Sequence, residues 1–252
     1  MSFEKLQPHL LCQKKDIAPY VLLPGDPNRV LRMAKLLDEF KEISYHREFR
    51  VVTGKYKNIP VTICSTGIGG PSTAIAMEEL INLGAKIFIR VGSCGGNQPE
   101  IKIGDAIISE AVIREDHTSL DYLPIQFPAL ADREVVNALE ESAKKLKIRY
   151  FVGPTLSVDA LYSEKNKQLK DFWRKFSCLA QEMEAGTVFV LAKFRKVKAG
   201  AIFLVVNRIN NENIKEGISR YAFEGKMKKG KLIEMEKKIT KVALESIVLL
   251  SS

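Results

Sequence analysis

The apolar positions of the chain fall into two alternating rhythms. Short, predominantly apolar runs at 20–24, 86–91, 105–113, 150–156 and 199–206 read as strands. Between them lie stretches with apolar residues three and four apart. Segment 71–83 carries Ala74, Met77, Leu80 and Ile81 on one stripe, and Pro71 suits a first helical turn, where its missing N–H costs nothing. Segments 28–37, 132–147 and 184–194 also read as helices, with Asp132 placed as an N-cap. Leu232, Met235, Ile239, Val242, Ala243 and Ile247 give the last helix its apolar stripe. Segments 48–56 and 59–65 read as a hairpin turning at Lys57-Asn58, and 92–96 reads as a loop. Strands alternating with helices, several of the strands unbroken in hydrophobicity, predict an α/β fold whose sheet is covered on both faces.

Composition narrows this picture. At 252 residues, 46% hydrophobic and 27% charged, the chain suits one globular domain spanning 1–252. No apolar run approaches the ~20 residues needed to cross a bilayer, and the first residues show no charged head followed by an apolar stretch. A cytoplasmic protein with no membrane association is expected. Cys12, Cys64, Cys94 and Cys178 lie far apart with no CxxC pair, which favours free thiols and no metal site. The net charge of +9 invites a nucleic-acid partner. Much of the excess, however, sits in KKLKIR at 144–149 and GKMKKGK at 225–231, beside predicted helices, where a solvated basic face is the ordinary explanation. A basic protein equally attracts a small anionic substrate.

Candidate chemistry gathers where three predicted strands end, the usual position of ligands in such sheets. Pro24-Gly25-Asp26-Pro27-Asn28-Arg29 reads equally as a common turn or as an anion site, with free N–H groups at a helix start and a forked donor in Arg29. Ser65-Thr66-Gly67-Ile68-Gly69-Gly70-Pro71-Ser72 offers three glycines before a helix, either as a phosphate cradle or as tight helix-on-strand packing. In Ile89-Arg90-Val91-Gly92-Ser93-Cys94-Gly95-Gly96 an arginine ends an apolar strand. That is costly unless it meets an anion or a carboxylate, and the hydroxyl of Ser93 favours an oxyanion site over a structural ion pair.

These three motifs, in this order and spacing, closely resemble the nucleoside phosphorylase family, which includes uridine and hexameric purine nucleoside phosphorylases. The resemblance extends over nearly the whole chain, through Pro8-His9, His46-Arg47-Glu48-Phe49, the stretch 111–132 and Gln181-Glu182-Met183-Glu184-Ala185. It implies a single domain with a mixed, partly barrel-like central sheet flanked by helices on both faces. It implies a phosphate held by Gly25, Arg29, Arg90 and Ser93, with Arg47 reaching in from a neighbouring subunit. The ribose is implied to meet Met183 and Glu184, with the neighbour's His9 near its 5′ end. Nucleoside and phosphate would be the substrates, a homo-hexamer the assembly, and no metal or organic cofactor is implied.

The base is where the resemblance divides. Purine-cleaving relatives place an aspartate after a serine in the loop following the late strand, whereas this chain has Val205-Val206-Asn207-Arg208 there, resembling the uridine phosphorylases and placing Arg208 in the catalytic set with Arg29 and Arg90. Uridine phosphorylases read uracil with a glutamine and an arginine two residues apart, after a Phe-Tyr pair. The same register puts Lys165 and Lys167 there, after Leu161-Tyr162, so Tyr162, Lys165 and Lys167 are expected at the base together with Cys94 and Gly95. Lysine can donate to a carbonyl but cannot accept from a ring N–H. A shifted loop would bring in Asn166 or Gln168 instead. Uridine phosphorolysis leads this reading, beside purine phosphorolysis, a hydrolytic nucleosidase on the same fold and a non-catalytic nucleoside binder.

Overall fold

The computed structural model describes residues 6–208 and 214–251. Ten strands form one sheet: β1 (Tyr20–Leu23), β2 (Glu39–His46), β3 (Phe49–Tyr56), β4 (Ile59–Cys64), β5 (Ile87–Gly96), β6 (Ala106–Glu115), β7 (Ala129–Leu130), β8 (Tyr150–Val158), β9 (Ala180–Glu182) and β10 (Lys198–Arg208). The helices are α1 (Pro27–Ala34), α2 (Gly70–Asn82), α3 (Thr118–Tyr122), α4 (Arg133–Lys145), α5 (Glu164–Arg174), α6 (Ala185–Phe194), α7 (Ile214–Met227) and α8 (Lys231–Leu250).

The sheet closes on itself through β5, β10, β6, β8 and β9, because β5 pairs with β10 along one side and with β9 at its end. From β5 the sheet continues open through β1, β4, β3 and β2. This ring is the barrel-like part of the expected mixed sheet. The pairings of β1 with β4 and β5, and of β5 with β10, are parallel, so all four carboxyl ends face one rim. The glycine-bearing segments 24–29, 65–72 and 92–96, which these strands carry to that rim, are therefore neighbours in space although distant in sequence.

Local sequence explains most elements. Asp26 caps α1 by accepting from the Asn28 N–H at 2.9 Å, with Pro27 in the first turn. Asp132 caps α4 through the Glu134 N–H. Lys57 and Asn58 both have positive φ, 51° and 65°, as a two-residue hairpin turn requires. One core cluster packs α2 and α6 against the ring, and a second packs α1, α4 and α8 on the other face. From Ala185 through Ala192, α6 is buried all round.

The structure departs from the sequence reading at several places, among them α3, β7 and α7, to which the sequence reading gave no element. Residues 92–96 are strand, the end of β5, not loop: the ring of Phe203 lies over Gly92, 2.7 Å from where a Cβ would stand, so the glycine is a packing site. Segment 39–46 forms β2, an exposed edge strand whose alternation is hidden by Glu39, Lys41 and Glu42. Helix α5 fully buries only Asn166 and Lys170, and the half-buried Leu169 and Trp173 beside them are too few apolar residues to register as a stripe. Strand β9 is three residues long, below the length at which alternation carries information.

Candidate active site

The rim is organised around Arg90, whose guanidinium is almost wholly buried. One Nη donates to the Leu23 carbonyl at 3.2 Å and to Thr66 Oγ1 at 3.3 Å, and the other meets Glu184 Oε2 at 2.6 Å. The arginine therefore has a carboxylate partner, and that partner is itself one of the expected ribose residues. Glu184 Oε1 accepts the Gly69 N–H at 2.8 Å. The glycine-rich loop at 65–72 thus spends its best-placed N–H on a carboxylate. It also packs tightly, since a Cβ at Gly70 would stand 2.5 Å from Thr118 Oγ1. Packing is the reading that geometry supports for this loop.

Gly25 lies directly over Arg90. A Cβ there would be 3.5 Å from both guanidinium Nη atoms and 3.1 Å from the Gly67 carbonyl. The missing side chain keeps the approach to the cation open. Arg29, one turn into α1, donates to the Val91 carbonyl at 3.1 Å and lies 3.3 Å from Glu236 of α8. Arg32 takes the same carboxylate at 2.6 Å and also meets Asp26. Burial opposes ionisation of Glu236, but the Arg32 hydrogen bond and the charges of Arg29 and Arg32 outweigh it and hold the carboxyl below its ordinary range. Two guanidinium groups share one buried carboxylate, and Asp26 at the half-exposed edge pairs with Arg32, so the four charges balance and fix Arg29 in place beside the Gly25 loop. Ser93, partly buried on β5, completes the set that one chain brings to this rim.

Behind the ion pair lies a carboxylate that the sequence reading passed over. Glu182 is buried, accepts from the Glu184 and Ala185 N–H groups at 2.8 Å and from the Ser157 hydroxyl, and stands two residues from Glu184. Burial, then the charge of Glu184, lifts its pKa to about 7 against the hydrogen bonds and Arg90. Its signal was in the sequence, as the first acid of Glu182-Met183-Glu184.

The remaining candidates separate into two groups. Met183 is half-buried beside Leu156, Val158 and Cys178, and Gly95 lies on the floor of the rim with the Asn207 carboxamide 3.0 Å from where its Cβ would be. Cys94 is buried in the core, where desolvation pushes its thiol well above the ordinary range, an inert wall and not a nucleophile. Arg208 donates to the Pro99 carbonyl at 2.5 Å. By contrast, Tyr162, Lys165 and Lys167 are exposed; Lys165 Nζ reaches Glu115 at 3.9 Å. On the opposite face of α5, Asn166 and Lys170 turn inward, and Asn166 Oδ1 accepts from Gln181 Nε2 at 2.6 Å. Desolvation lowers the pKa of the Lys170 amine.

His9 and Arg47 take no part in this hydrogen-bonded network among the described residues. His9 Nδ1 is 2.6 Å from Glu79, which also accepts the His9 and Leu10 N–H groups. It lines a cleft of about 460 Å³ with Pro71, Ala74, Glu78, Thr118 and Tyr122, which contains no arginine and borders the 65–72 loop through Pro71. Arg47 is exposed at the β2–β3 turn with φ of 54°.

Comparison with known proteins decides the family. Residues 19–244 match the phosphorylase superfamily model. The chain belongs to the phosphorylase superfamily. Within this family it is 46% identical to the uridine phosphorylase of Thermococcus kodakarensis over 227 residues, covering 85% of this chain and 82% of the relative. It is 40% identical to the guanosine phosphorylase of Halorubrum lacusprofundi, covering 79% and 82%. The crystal structure of the uridine phosphorylase of Vibrio fischeri superposes with a TM-score of 0.88 at 31% identity, covering 98% of each chain.

Proposed function

We propose that this protein is a pentosyltransferase that cleaves uridine with inorganic phosphate, yielding uracil and ribose 1-phosphate. The observation that carries this reading is the buried Arg90–Glu184 pair beneath the open face of Gly25. A cation turned toward an anion and a carboxylate suited to sugar hydroxyls are held in one rigid unit. The uridine phosphorylases among its relatives support the pyrimidine.

In this reading Gly25, Arg29, Arg90 and Ser93 hold the phosphate, joined by Arg47 of a neighbouring subunit. Met183 and Glu184 take the ribose hydroxyls, and the neighbour's His9 closes the 5′ end. That neither His9 nor Arg47 joins the rim's hydrogen-bonded network among the described residues supports a homo-hexamer with shared sites. A phosphate oxygen attacks the anomeric carbon, the C–N bond breaks, and its electron pair leaves with the base, with Arg208 assigned to that end. Catalysis is positioning and electrostatic stabilisation, and needs neither metal nor organic cofactor. The solvated Lys-rich stretches agree with an enzyme that has no nucleic-acid partner and works in the cytoplasm.

A purine substrate is the second reading, favoured by the likeness to a guanosine phosphorylase. Base release from uridine and inosine, each with and without phosphate, tests both. Phosphate-dependent uracil release is expected; hypoxanthine release alone moves the substrate to purines, and release without phosphate makes the protein a nucleosidase.

A further inference from the structure

A short chain of carboxamides under α5 ends in an acceptor with nothing to accept. The Leu161 carbonyl can only accept, and Asn166 Nδ2 donates to it at 2.5 Å. Asn166 must then present its oxygen to Gln181, whose Nε2 donates at 2.6 Å. The orientation of the Gln181 amide follows from that backbone carbonyl, and its Oε1 is left turned away, buried and without a partner. Gln181 itself is only 5% exposed. A buried carbonyl oxygen without a donor is costly, so one is retained where a ligand supplies the donor.

Strand register places this oxygen. Gln181 on β9 lies directly opposite Gly95 on β5, and Gly95 lies opposite Asn207 on β10. Directly opposed residues share a face. Gln181 and Asn207 therefore flank a bare glycine on the face that also carries Met183, two residues along from Gln181. At a strand spacing of about 4.8 Å the two flanking residues stand about 10 Å apart across the glycine, a floor suited to a planar ring.

We propose that Gln181 is the specificity-determining residue for the base, its Oε1 accepting a ring N–H, with Asn166 as the positioning residue that turns that oxygen toward the ring. This inference rests on the phosphorylase reading for the identity of the ring. Uracil offers such an N–H at N3, and hypoxanthine and guanine offer one at N1. Cytosine and adenine present a ring acceptor at the same edge, which sets two lone pairs against each other. The residue thus selects lactam bases without the lysines of α5. Asn166 sits on the inward side of α5, with Lys170 buried and Leu169 and Trp173 packed beside it.

The test is calorimetric binding of uridine, 3-methyluridine and cytidine without phosphate, to the native protein, Gln181→Leu and Asn166→Leu, each checked by thermal melting. The native protein is expected to prefer uridine to 3-methyluridine by about 10- to 100-fold, the range for leaving a buried acceptor unpaired. In Gln181→Leu that ratio should fall below about threefold, the loss of the acceptor removing its cause. Asn166→Leu frees the glutamine amide to turn, and the uridine-to-cytidine ratio should fall. A 3-methyl discrimination that survives Gln181→Leu, or a cytidine discrimination that survives Asn166→Leu, overturns the proposal; should the glutamine variant fail to fold, the asparagine variant decides alone. Phosphate-dependent uracil release by the native protein is scored separately. Its absence with the binding preference intact refutes the phosphorylase reading only, and its presence without the preference refutes the role of Gln181 only.

Discussion

At the rim, nearly every charged group is locked to another: Arg90 to Glu184, Arg29 and Arg32 to Glu236, Glu182 to two backbone N–H groups and Ser157. Under α5 the polar groups are few and their partners are carboxamides and a carbonyl, with the amine of Lys170 buried among thiols. The first region joins Arg90 of β5, Arg29 and Arg32 of α1, Glu236 of α8, Glu182 of β9 and the adjoining Glu184, so ion pairs tie several elements into one unit. The second is built from a helix with two buried side chains and a three-residue strand. A site assembled this way can keep its phosphate and sugar chemistry rigid while the base end varies between relatives, consistent with pyrimidine and purine names among proteins of similar identity to this chain.

The sharpest way to break that contrast is Arg90→Met. At the rigid end it should lower kcat/KM for phosphorolysis by about 10³-fold. It also leaves Glu184 buried without its cation, and should cost about 3–5 kcal/mol in denaturant unfolding. A folded variant with unchanged phosphate KM would show that the rim is structural only.

Glu182→Gln tests the same region through pH. The folded protein keeps the Glu182 proton up to about pH 7, whereas the unfolded chain releases it near 4.5. Between those values the folded state binds the extra proton, so this group's contribution is fully present below 4.5 and is lost as pH rises through 7. Thermal melts at pH 5 and 8 should show the native protein losing about 1–3 kcal/mol more than the variant.

At the loosely held end, Lys170→Met should stabilise the fold by about 1 kcal/mol, since it removes a desolvated amine and keeps the stem's packing. A lower melting temperature would mean that the amine has a partner it depends on. The smallest effect is expected for the double change Lys165→Ala and Lys167→Ala, with uridine kcat/KM altered less than about twofold because both side chains face solvent. A large loss there would return the lysines to the base and dissolve the contrast between the two ends.

The parts of this molecule that sequence displays are those where local chemistry and tertiary position agree. Asp26-Pro27 starts a helix on its own, Lys57-Asn58 turns a hairpin on its own, and the runs of β1, β5 and β10 are apolar because both faces are covered. Gly25, Arg90 and Ser93 stood out because they sit at or just past the ends of such runs and Arg29 because it opens the helix after one, whereas Glu184 was implied by the family resemblance alone. What stayed hidden depended on distant partners. Glu236 is one of three acids in α8, with nothing to single it out until α1 packs beside it. Register alone placed Lys165 and Lys167 at the base, but the winding of α5 decides which side faces inward, and it brings in Asn166, the alternative a shifted loop allowed. Gln181 gains meaning only once β9 is laid against Gly95.

The four cysteines are all buried, and desolvation raises each thiol, to about 11 for Cys12 and Cys178 and well beyond the ordinary range for Cys64 and Cys94. They are spread over the first turns of the chain, β4, β5 and the approach to β9. A thiol reagent can therefore modify them only as fast as the surrounding structure opens. Each position becomes a clock for its own neighbourhood: Cys64 and Cys94 time the opening of the sheet, Cys178 times the departure of α5, and the spacing between those clocks measures how far the base end can loosen before the rim does.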